Sequence, residues 1–342
     1  MTLPTIQDVA RTADVGVGTV SRVLNNSPLV SEATRARVQQ VIDDFGYRPS
    51  PLARALSLGY STTVAAVIPY FTRPSVVLRL RGLADVIGPS DFDLVLYDVE
   101  TPEQRDRRFT MMTRPARSAG MIMASLAVDD QVAAGLRESG APAVFIDRRV
   151  EGLRCVWIDD VAGGESATRY LLGLGHERIA FVGDVHDEWF GFTSSYDRLD
   201  GYRQALAAAG LPDRPEYVRL APHGREEAHR LTGELLSLPD PPTAVFAASD
   251  LQAFGVLEAA RTGGLTVPGG LSVIGFDDIE VSPYLGLTTV RQPLYESGVR
   301  GAELLLGALA GDDPGETSVQ LPLEIVERWT TGPPGSAQAP TR

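Results

Sequence analysis

Short apolar runs that alternate with helical stretches restrict the fold of this chain more than any other feature. From Val64 onward the runs are VAAVIP, DLVLYD, GMIMAS, APAVFID, CVWID, RIAFVGD, AVFAAS and LSVIGFDD. Continuous apolar runs of this length are typical of strands buried on both faces, and their alternation with helices predicts parallel sheets covered by helices. A stretch of about 270 residues exceeds a single domain of usual size. We therefore expect an α/β fold with two lobes, at about 62–160 and 161–290, through both of which the chain then returns.

Polar side chains follow many of these predicted strands. In open α/β sheets, ligands bind beyond the carboxyl ends of the strands. Carboxylate and guanidinium groups suit a ligand rich in hydroxyls, because each hydroxyl can donate to a carboxylate and accept from a guanidinium. The pattern favours a sugar, although an Asp at a strand end also often caps the following helix. The residues at these ends are Tyr70, Asp98, Ser125, Asp147, Arg148, Asp184, Ser249, Asp250, Asp277 and Asp278.

The first 50 residues carry a different pattern, with apolar residues at helical spacing. Thr5 and Ser31 are candidate N-caps, and Gly46 is a candidate helix end. Three short helices are therefore predicted in a small N-terminal domain. Their apolar stripes are Ile6, Val9, Ala10 and Ala13, then Val20, Val23 and Leu24, and finally Val38, Val41, Ile42 and Phe45.

The outward face of the second predicted helix is small, polar and basic. Short side chains with an Arg and an Asn can lie close to base edges and phosphates in a major groove. This favours a helix-turn-helix, with an ordinary αα-hairpin as the alternative. Six Arg against five carboxylates give residues 1–60 a formal charge of +1, whereas the whole chain carries -13. The face consists of Val17, Gly18, Thr19, Ser21, Arg22 and Asn25.

Three segments, TIQDVARTADVGVGTVSRVLNN, VSEATRARVQQVIDDFGYRPSPLARAL and LSVIGFDDIEVSPYLGLTTVRQP, resemble the LacI/GalR family of transcriptional repressors. The similarity runs from Thr5 to about Arg328. It implies a helix-turn-helix headpiece at 1–60 and an effector-binding domain at 61–330, with two Rossmann-like subdomains of the periplasmic-binding-protein type. Residues 331–342 form a Pro-, Gly- and Ala-containing tail that we expect to be disordered.

The resemblance also assigns DNA contacts. It implies that the second helix reads the major groove through Val17, Gly18, Ser21 and Arg22, with Thr19 and Asn25 nearer the backbone. Thr5 is a further predicted DNA contact. The segment at about 51–57 is too short for a stable isolated helix. In the resembling family it forms a hinge helix when two copies pair over the operator, and the residue matching Leu56 enters the minor groove beside Ala53.

For the effector site, the resemblance points to Asp147, Arg198, Asp250 and Asp277. Arg198 follows a polar loop and has no evident helix partner, which favours a ligand contact. Arg73 to Val77 replaces the aromatic pair that the family often has, and Ser249 stands where Asn is usual. Trp189 lies in the aromatic loop HDEWFGFTSSY, which favours an oligosaccharide or, alternatively, a local hydrophobic cluster. The predicted effector contacts are Tyr70, Asp147, Arg148, Trp189, Arg198, Ser249, Asp250 and Asp277.

Signals for catalysis are missing from the sequence. There is no phosphate-binding glycine loop after a strand, no His-Glu-x-x-His and no nucleophile elbow, and the single Cys155 supports neither a disulfide nor a metal site. We therefore expect no enzyme, catalytic residue, metal or cofactor. Because no signal peptide or membrane span precedes the helices, we expect a cytoplasmic protein that joins the nucleoid when bound to its operator.

Together these patterns predict a homodimeric repressor that binds double-stranded DNA at a palindromic operator and is released by a sugar bound between its lobes. The alternatives are a cytoplasmic sugar-binding protein and a co-repressed regulator. The C-terminal tail has no leucine heptad, so a dimer is expected rather than a larger assembly.

Overall fold

A computed structural model describes residues 4–24, 27–47, 61–112, 118–185, 191–312 and 317–335. The chain divides into two compact units, Met1–Thr62 and Thr63–Arg342. The predicted hinge at about 51–57, with Ala53 and Leu56, lies outside the described residues, as do Asn25 and Trp189.

The N-terminal unit contains α1 (Ile6–Thr12), α2 (Val17–Leu24) and α3 (Glu32–Phe45). Thr5 and Asp8 form a reciprocal capping box, and the Ser31 side chain accepts a hydrogen bond from the backbone N–H of Thr34 at 3.3 Å. Gly46 ends α3 in the left-handed region at φ 57°. The three helices and their predicted caps are therefore confirmed.

These helices share one small core. Val9, Val20 and Val38 are fully buried at its centre, so each helix contributes its predicted apolar stripe. Phe45 differs from the prediction, since 38% of its surface stays exposed at the last residue of α3. On α3 the shared core is formed by Val38, Val41 and Ile42, and Phe45 lies one turn beyond them at the end of the helix.

The second unit begins with a lobe of parallel strands, as the apolar runs predict. Its sheet has the order β2-β1-β3-β4-β5 with β11 at the edge. Helices α4 (Pro74–Ile87), α5 (Pro102–Met112) and α6 (Asp130–Ser139) connect consecutive strands. The strands are β1 (Thr63–Pro69), β2 (Asp93–Val99), β3 (Gly120–Ala124), β4 (Ala143–Ile146), β5 (Arg154–Trp157) and β11 (Ser318–Gln320).

The other lobe repeats the same topology, β7-β6-β8-β9-β10, with β12 antiparallel at the edge. This order is that of a doubly wound α/β fold. Its helices are α7 (Asp160–Gly173), α8 (Ser194–Ala208), α9 (Arg225–Leu236) and α10 (Asp250–Thr262). The strands are β6 (Ile179–Asp184), β7 (Val218–Ala221), β8 (Ala244–Ala247), β9 (Ser272–Asp277), β10 (Thr288–Arg291) and β12 (Glu324–Val326), with a 3-10 turn at Pro215–Tyr217.

The chain passes between the lobes after β5, after β10 and after β11. Helix α11 (Leu294–Ala310) follows β10 of the second lobe and packs on α4 of the first. The predicted return of the chain through both lobes is therefore present in the structure. Because both lobes contain parts of the chain from either side of these crossings, ligand-binding groups distant in sequence can meet in the cleft between them.

Close helix packing fixes the backbone of two arginines that face this cleft. A Cβ on Gly298 of α11 would lie 2.1 Å from the carbonyl oxygen of Arg79, and one on Gly164 of α7 would lie 2.1 Å from that of Arg198. Only glycine permits such an approach, because any larger residue would push the helices apart. The backbone of each arginine is therefore held against the neighbouring helix.

The packed part of the second unit extends past residue 330, beyond which the tail is expected. Thr331 is buried and its hydroxyl lies 2.9 Å from the Tyr170 hydroxyl, while the carbonyl oxygen of Gly332 accepts a hydrogen bond from Ser272 Oγ at 2.9 Å. The predicted start of the tail at 331 is therefore too early. Among the described residues, every helix is too short or too polar to cross a bilayer.

Candidate functional site

Strained backbone marks the carboxyl ends of strands from both lobes. Tyr70, Ser125, Asp147, Asp277 and Asp278 have φ angles of 49°, 56°, 66°, 124° and 57°. Each follows or ends one of the strands β1, β3, β4 and β9. Left-handed conformations are costly for residues other than glycine and cluster at functional sites. The strain therefore points to the edges at which a ligand is expected.

These strand ends surround a cavity of about 650 Å³ between the lobes. Its size falls within the range of roughly 300–1,000 Å³ common for small-molecule sites. Of the predicted effector contacts, Asp147, Arg148, Arg198, Ser249 and Asp277 line it. Asp184, His223 and Arg79, which are not among the predicted effector contacts, also line it.

Asp147 is positioned by a buried arginine of α4. Its Oδ1 accepts a hydrogen bond from Arg79 Nη2 at 2.6 Å, and its Oδ2 accepts one from Ser125 Oγ at 2.6 Å. The same Arg79 nitrogen donates to Gln292 Oε1 at 3.1 Å, yet Arg79 Nε is buried and has no hydrogen-bond partner in the part of the chain that the structure describes. The sequence does contain a signal for Arg79, because this cation interrupts the apolar stripe of Val76 and Leu83.

Arg198 forms the corresponding pair in the second lobe. Its Nε and Nη2 both lie 2.8 Å from Asp160 Oδ1, its Nη1 donates to the carbonyl oxygen of Ala248 at 2.6 Å, and its guanidinium carbon lies 3.6 Å from the centre of the Phe276 ring. The expectation that Arg198 lacks a helix partner is wrong, because Asp160 at the start of α7 packs against it. Arg198 therefore lines the cleft and also neutralises a buried carboxylate.

Burial dominates the pKa of the carboxylates in this wall. It raises the pKa of Asp160 to about 6, although the positive charge of Arg198 opposes the shift. Burial also raises the pKa of Asp277, opposed by Arg198 and by the hydrogen bond from Gln292. For Arg198, burial lowers the pKa but the carboxylates of Asp160 and Asp277 outweigh it, so the net shift is upward. The guanidinium consequently stays charged.

Asp250 lies behind the cleft rather than in it. It is fully buried, and its carboxylate accepts hydrogen bonds from Ser282 Oγ at 2.5 Å, Thr289 Oγ1 at 2.5 Å and the backbone N–H of Ile279 at 3.0 Å. Burial, followed by the nearby charge of Asp277, raises the pKa of Asp250 to about 7. The structure thus contradicts the expected effector contact, since Asp250 ties α10 to the segment after β9.

A hydrogen-bonded cluster lines the second lobe beside these groups. His223 Nδ1 lies 3.1 Å from Asp184 Oδ1, which also accepts a hydrogen bond from Gln252 Nε2 at 2.8 Å. Ser249 Oγ contacts Gln252 Oε1 at 3.1 Å and caps α10 by accepting from the Gln252 backbone N–H at 3.2 Å. Asp184 is therefore fixed in position, and His223 becomes a candidate contact that its polar sequence surroundings did not distinguish.

Contacts across the mouth of the cleft join the lobes. Arg148 Nη1 of the first lobe donates to Thr193 Oγ1 at 2.9 Å, next to α8 of the second. The Arg73 guanidinium carbon lies 4.1 Å from the Tyr70 ring centre and 5.9 Å from that of Phe192. Tyr70 is not among the residues that line the cavity; its ring faces Phe192 at 6.4 Å between centroids. Tyr70 therefore belongs to the mouth of the cleft.

The N-terminal unit presents the predicted outward face of α2. Val17, Gly18 and Arg22 are exposed, and Thr19 and Ser21 are half-buried. A Cβ on Gly18 would meet no atom within 4 Å, so the surface there is open. Thr5 is exposed, but its hydroxyl donates to Asp8 Oδ2 at 2.7 Å within the α1 cap. The face is therefore open at Gly18, where a groove-reading surface needs close approach.

Comparisons with known proteins match both units. The model of bacterial regulatory proteins of the lacI family matches residues 5–50, and that of the periplasmic binding protein-like domain matches residues 168–331. The HTH-type transcriptional repressor CytR of Escherichia coli (strain K12) is 31% identical over 334 residues, covering 96% of this chain and 97% of CytR.

Two solved structures are similar as well. A complex of the transcriptional regulator CelR with cellobiose has 31% identity and a TM-score of 0.70, covering 96% of this chain and 99% of CelR. A LacI family regulator from Enterococcus faecium with bound ribose has 28% identity and a TM-score of 0.68, covering 79% and 99%.

A helix-turn-helix unit joined to a two-lobed periplasmic-binding-protein-like domain defines a class of bacterial transcription regulators. The chain belongs to the LacI family of that class and is a DNA-binding transcriptional repressor.

Proposed function

We propose that this repressor binds a palindromic operator as a homodimer and is released when a small sugar, an oligosaccharide, binds between the lobes. The observation that carries the ligand part is the row of strained strand ends around the cleft, whose lining includes the carboxylates Asp147 and Asp277 and the guanidinium groups of Arg148 and Arg198. Such an arrangement can accept from and donate to several hydroxyls at once. The protein would act in the cytoplasm, where its operator DNA is found.

The relatives support a sugar as the class of ligand. CelR was solved with cellobiose and the Enterococcus faecium regulator with ribose, and both share this fold. Phe192 and Trp157 line the cavity and offer faces that can pack on the C–H surface of a sugar ring. We therefore extend the same ligand class to this chain.

DNA recognition is assigned to the exposed face of α2. Arg22 offers a bidentate donor for guanine, while Val17, Gly18, Thr19 and Ser21 are small enough for close approach to the groove. The family resemblance supports Thr5, Asn25, Ala53 and Leu56 as further DNA contacts.

A dimer is supported by an apolar patch on the second lobe. Tyr284 is 84% exposed, and Val281, Leu285 and Trp329 are exposed nearby. The patch is rigid, because Trp329 packs on Gly286 and its backbone N–H donates to the Gly286 carbonyl oxygen at 3.1 Å. Contiguous exposed apolar surface of this kind marks a protein contact, and a palindrome requires a twofold pair.

Release would follow from a difference in affinity between two arrangements of the lobes. A sugar shifts the equilibrium only if it binds one arrangement more tightly than the other. The hydrogen bond from Arg148 to Thr193 crosses the mouth of the cleft, so a ligand that engages Arg148 changes a contact between the lobes. We propose that the closed, sugar-bound arrangement disfavours pairing of the hinge segments over the operator.

The test uses operator DNA selected from a random duplex pool and a panel of cellobiose, maltose and smaller sugars. At a protein concentration that gives the same operator occupancy as wild type, Arg148→Ala should require at least roughly tenfold more sugar for release, since it loses charge-assisted hydrogen bonds to the sugar of about 1.5–3 kcal/mol each. Arg137→Ala is the matched control, because Arg137 bonds to the Glu151 carbonyl oxygen at the surface of the same lobe.

Equal sugar response of Arg148→Ala and wild type would remove Arg148 from the effector site. Tighter operator binding in the presence of sugar would instead identify a co-repressed regulator. Sugar binding without any binding of selected DNA would favour the alternative of a cytoplasmic sugar-binding protein, against which the headpiece now argues.

A further inference from the structure

The two walls of the cleft carry opposite charge. The first-lobe wall contains four arginines and one carboxylate, whereas the second-lobe wall contains one arginine and five carboxylates. A neutral sugar gives no electrostatic reason for this separation. The basic wall comprises Arg73, Arg79, Arg148 and Arg149 with Asp147, and the acidic wall Asp159, Asp160, Asp184, Asp197 and Asp277 with Arg198.

The amino end of α4 adds to the positive potential of the basic wall. This helix has 14 residues and begins with Pro74 after Arg73, and no side chain caps its first turn. Ser75 and Val76 of that turn line the cavity. The N–H groups of a first helical turn lack partners within the helix and, with the helix dipole, favour an anion.

Arg79 indicates independently that the cavity can bind a hydrogen-bond acceptor. It lies one turn beyond Ser75 on the same helix, lines the cavity and is only 4% exposed. One of its terminal nitrogens binds Asp147 and Gln292, but among the described residues its buried Nε has no hydrogen-bond partner. A buried guanidinium N–H without a partner is costly, so a small adjustment that admits an acceptor oxygen would stabilise it.

Arg148 adds a further positive charge to the same wall of the cavity. Its guanidinium contacts the hydroxyl of Thr193 at 2.9 Å and the carbonyl oxygen of Gly191 at 3.4 Å, both uncharged. Within the described ranges, no carboxylate oxygen lies within 4 Å of its guanidinium nitrogens. Arg73 approaches the same segment through Phe192, so both cations border one region of the cavity.

We propose that the effector is a sugar bearing an oxyanion, which the basic wall binds through the amino end of α4, Arg148 and Arg73, while the acidic wall accepts hydrogen bonds from the sugar hydroxyls. This inference rests on the proposed function, because it specifies the ligand of the same cleft. A phosphate ester and a uronate carboxylate share the required chemistry. The alternative is that the opposite charges only attract the two walls to each other.

The experiment measures binding to the full chain by isothermal titration calorimetry. The probes are glucose and galactose, each compared with its 6-phosphate and its uronate, and cellobiose compared with its 6′-phosphate. Inorganic phosphate alone is included. We expect an anionic sugar to bind at least roughly tenfold more tightly than its neutral counterpart, with an affinity that weakens as salt is added. The phosphate and uronate arms distinguish the two sources of the oxyanion.

Ser75→Asp places a carboxylate in the first turn of α4, where the helix dipole stabilises it, so folding should be preserved. It should remove most of the preference for the anionic sugar, measured as the ratio of the affinities for the anionic sugar and its neutral counterpart. Arg230→Gln, which removes an exposed cation on α9 outside the cavity, is the charge-matched control and should change neither affinity.

Equal affinity for neutral and anionic counterparts would overturn this inference and leave the proposed function standing. The inference is also overturned if Ser75→Asp weakens the binding of both counterparts equally. If neither the neutral nor the anionic sugars bind, both the proposed sugar-induced release and this inference fail.

Discussion

Replacing Arg198 with Met should destabilise the effector domain strongly, although the new side chain can still cover the Phe276 ring. Arg198 is 7% exposed, and the side chain of Asp160, its partner at 2.8 Å, is 12% exposed. Removing one member of a buried pair leaves the other charge uncompensated, at a cost of about 3–5 kcal/mol. For a unit of this size, that loss lowers the midpoint of thermal unfolding by roughly 10 °C.

The stability lost in Arg198→Met should depend on pH. Asp160 already has a folded-state pKa of about 6, above its ordinary value of 3.8. In the wild type, its stability contribution is therefore present below about pH 4 and is lost as pH rises through about 6, a change of about 3 kcal/mol. Without Arg198, which lowers this pKa, Asp160 should bind its proton more tightly. The difference in free energy of unfolding between wild type and variant should consequently shrink as the pH is lowered toward about 6, and it should stay constant below that pH, where Asp160 is protonated in both proteins.

The assay is thermal unfolding followed by circular dichroism for wild type, Arg198→Met and the double variant Arg198→Met with Asp160→Asn. The second substitution removes the uncompensated charge, so the double variant should be more stable than Arg198→Met. Arg203→Met is the control on the same helix, where an exposed pair with Asp213 should contribute less than about 1 kcal/mol. A loss below about 1 kcal/mol in Arg198→Met, or a double variant that is no more stable, would refute the reasoning.

Three further predictions concern DNA binding and assembly. Arg22→Ala should weaken operator binding by roughly 1–3 kcal/mol per half-site in a gel-shift titration; equal binding would remove Arg22 from the base contacts. Leu56→Gly should weaken operator binding strongly and nonspecific binding little, and the hinge assignment fails if both affinities fall together. Tyr284→Asp should convert the dimer to monomers in analytical ultracentrifugation, whereas an unchanged sedimentation coefficient would exclude this patch as the interface.

Local sequence signals predict the helical unit well. Thr5, Ser31 and Gly46 define helix ends. Because these ends depend only on hydrogen bonds and backbone conformation within a few residues, the spacing of the sequence is enough to predict them. The apolar runs likewise predict the parallel strands, because burial on both faces leaves few alternatives for such segments. Phe45 is the exception, since its exposure depends on where neighbouring helices end.

The cleft is only partly predictable, because a strand-end position does not determine which way a side chain faces. Asp147 and Asp277 line the cavity, whereas Asp250 lies behind it among Ser282 and Thr289. The partner of Arg198 is 38 positions away in sequence, on a helix that only tertiary packing brings alongside. Arg79 donates a hydrogen bond to Gln292, which lies 213 positions away in sequence, so this contact is visible only in the folded chain.

The most direct test of sugar-induced release is fluorescence anisotropy of a labelled palindromic operator, held by the wild-type protein and titrated with a sugar that calorimetry shows to bind. A scrambled duplex of the same length serves as the reference for nonspecific binding. We predict that anisotropy falls to the level of free DNA as the sugar fills the cleft, at the same protein concentration that keeps the operator bound without sugar. An anisotropy that stays constant while the cleft is saturated would contradict this mechanism, because sugar binding and operator binding would then be uncoupled.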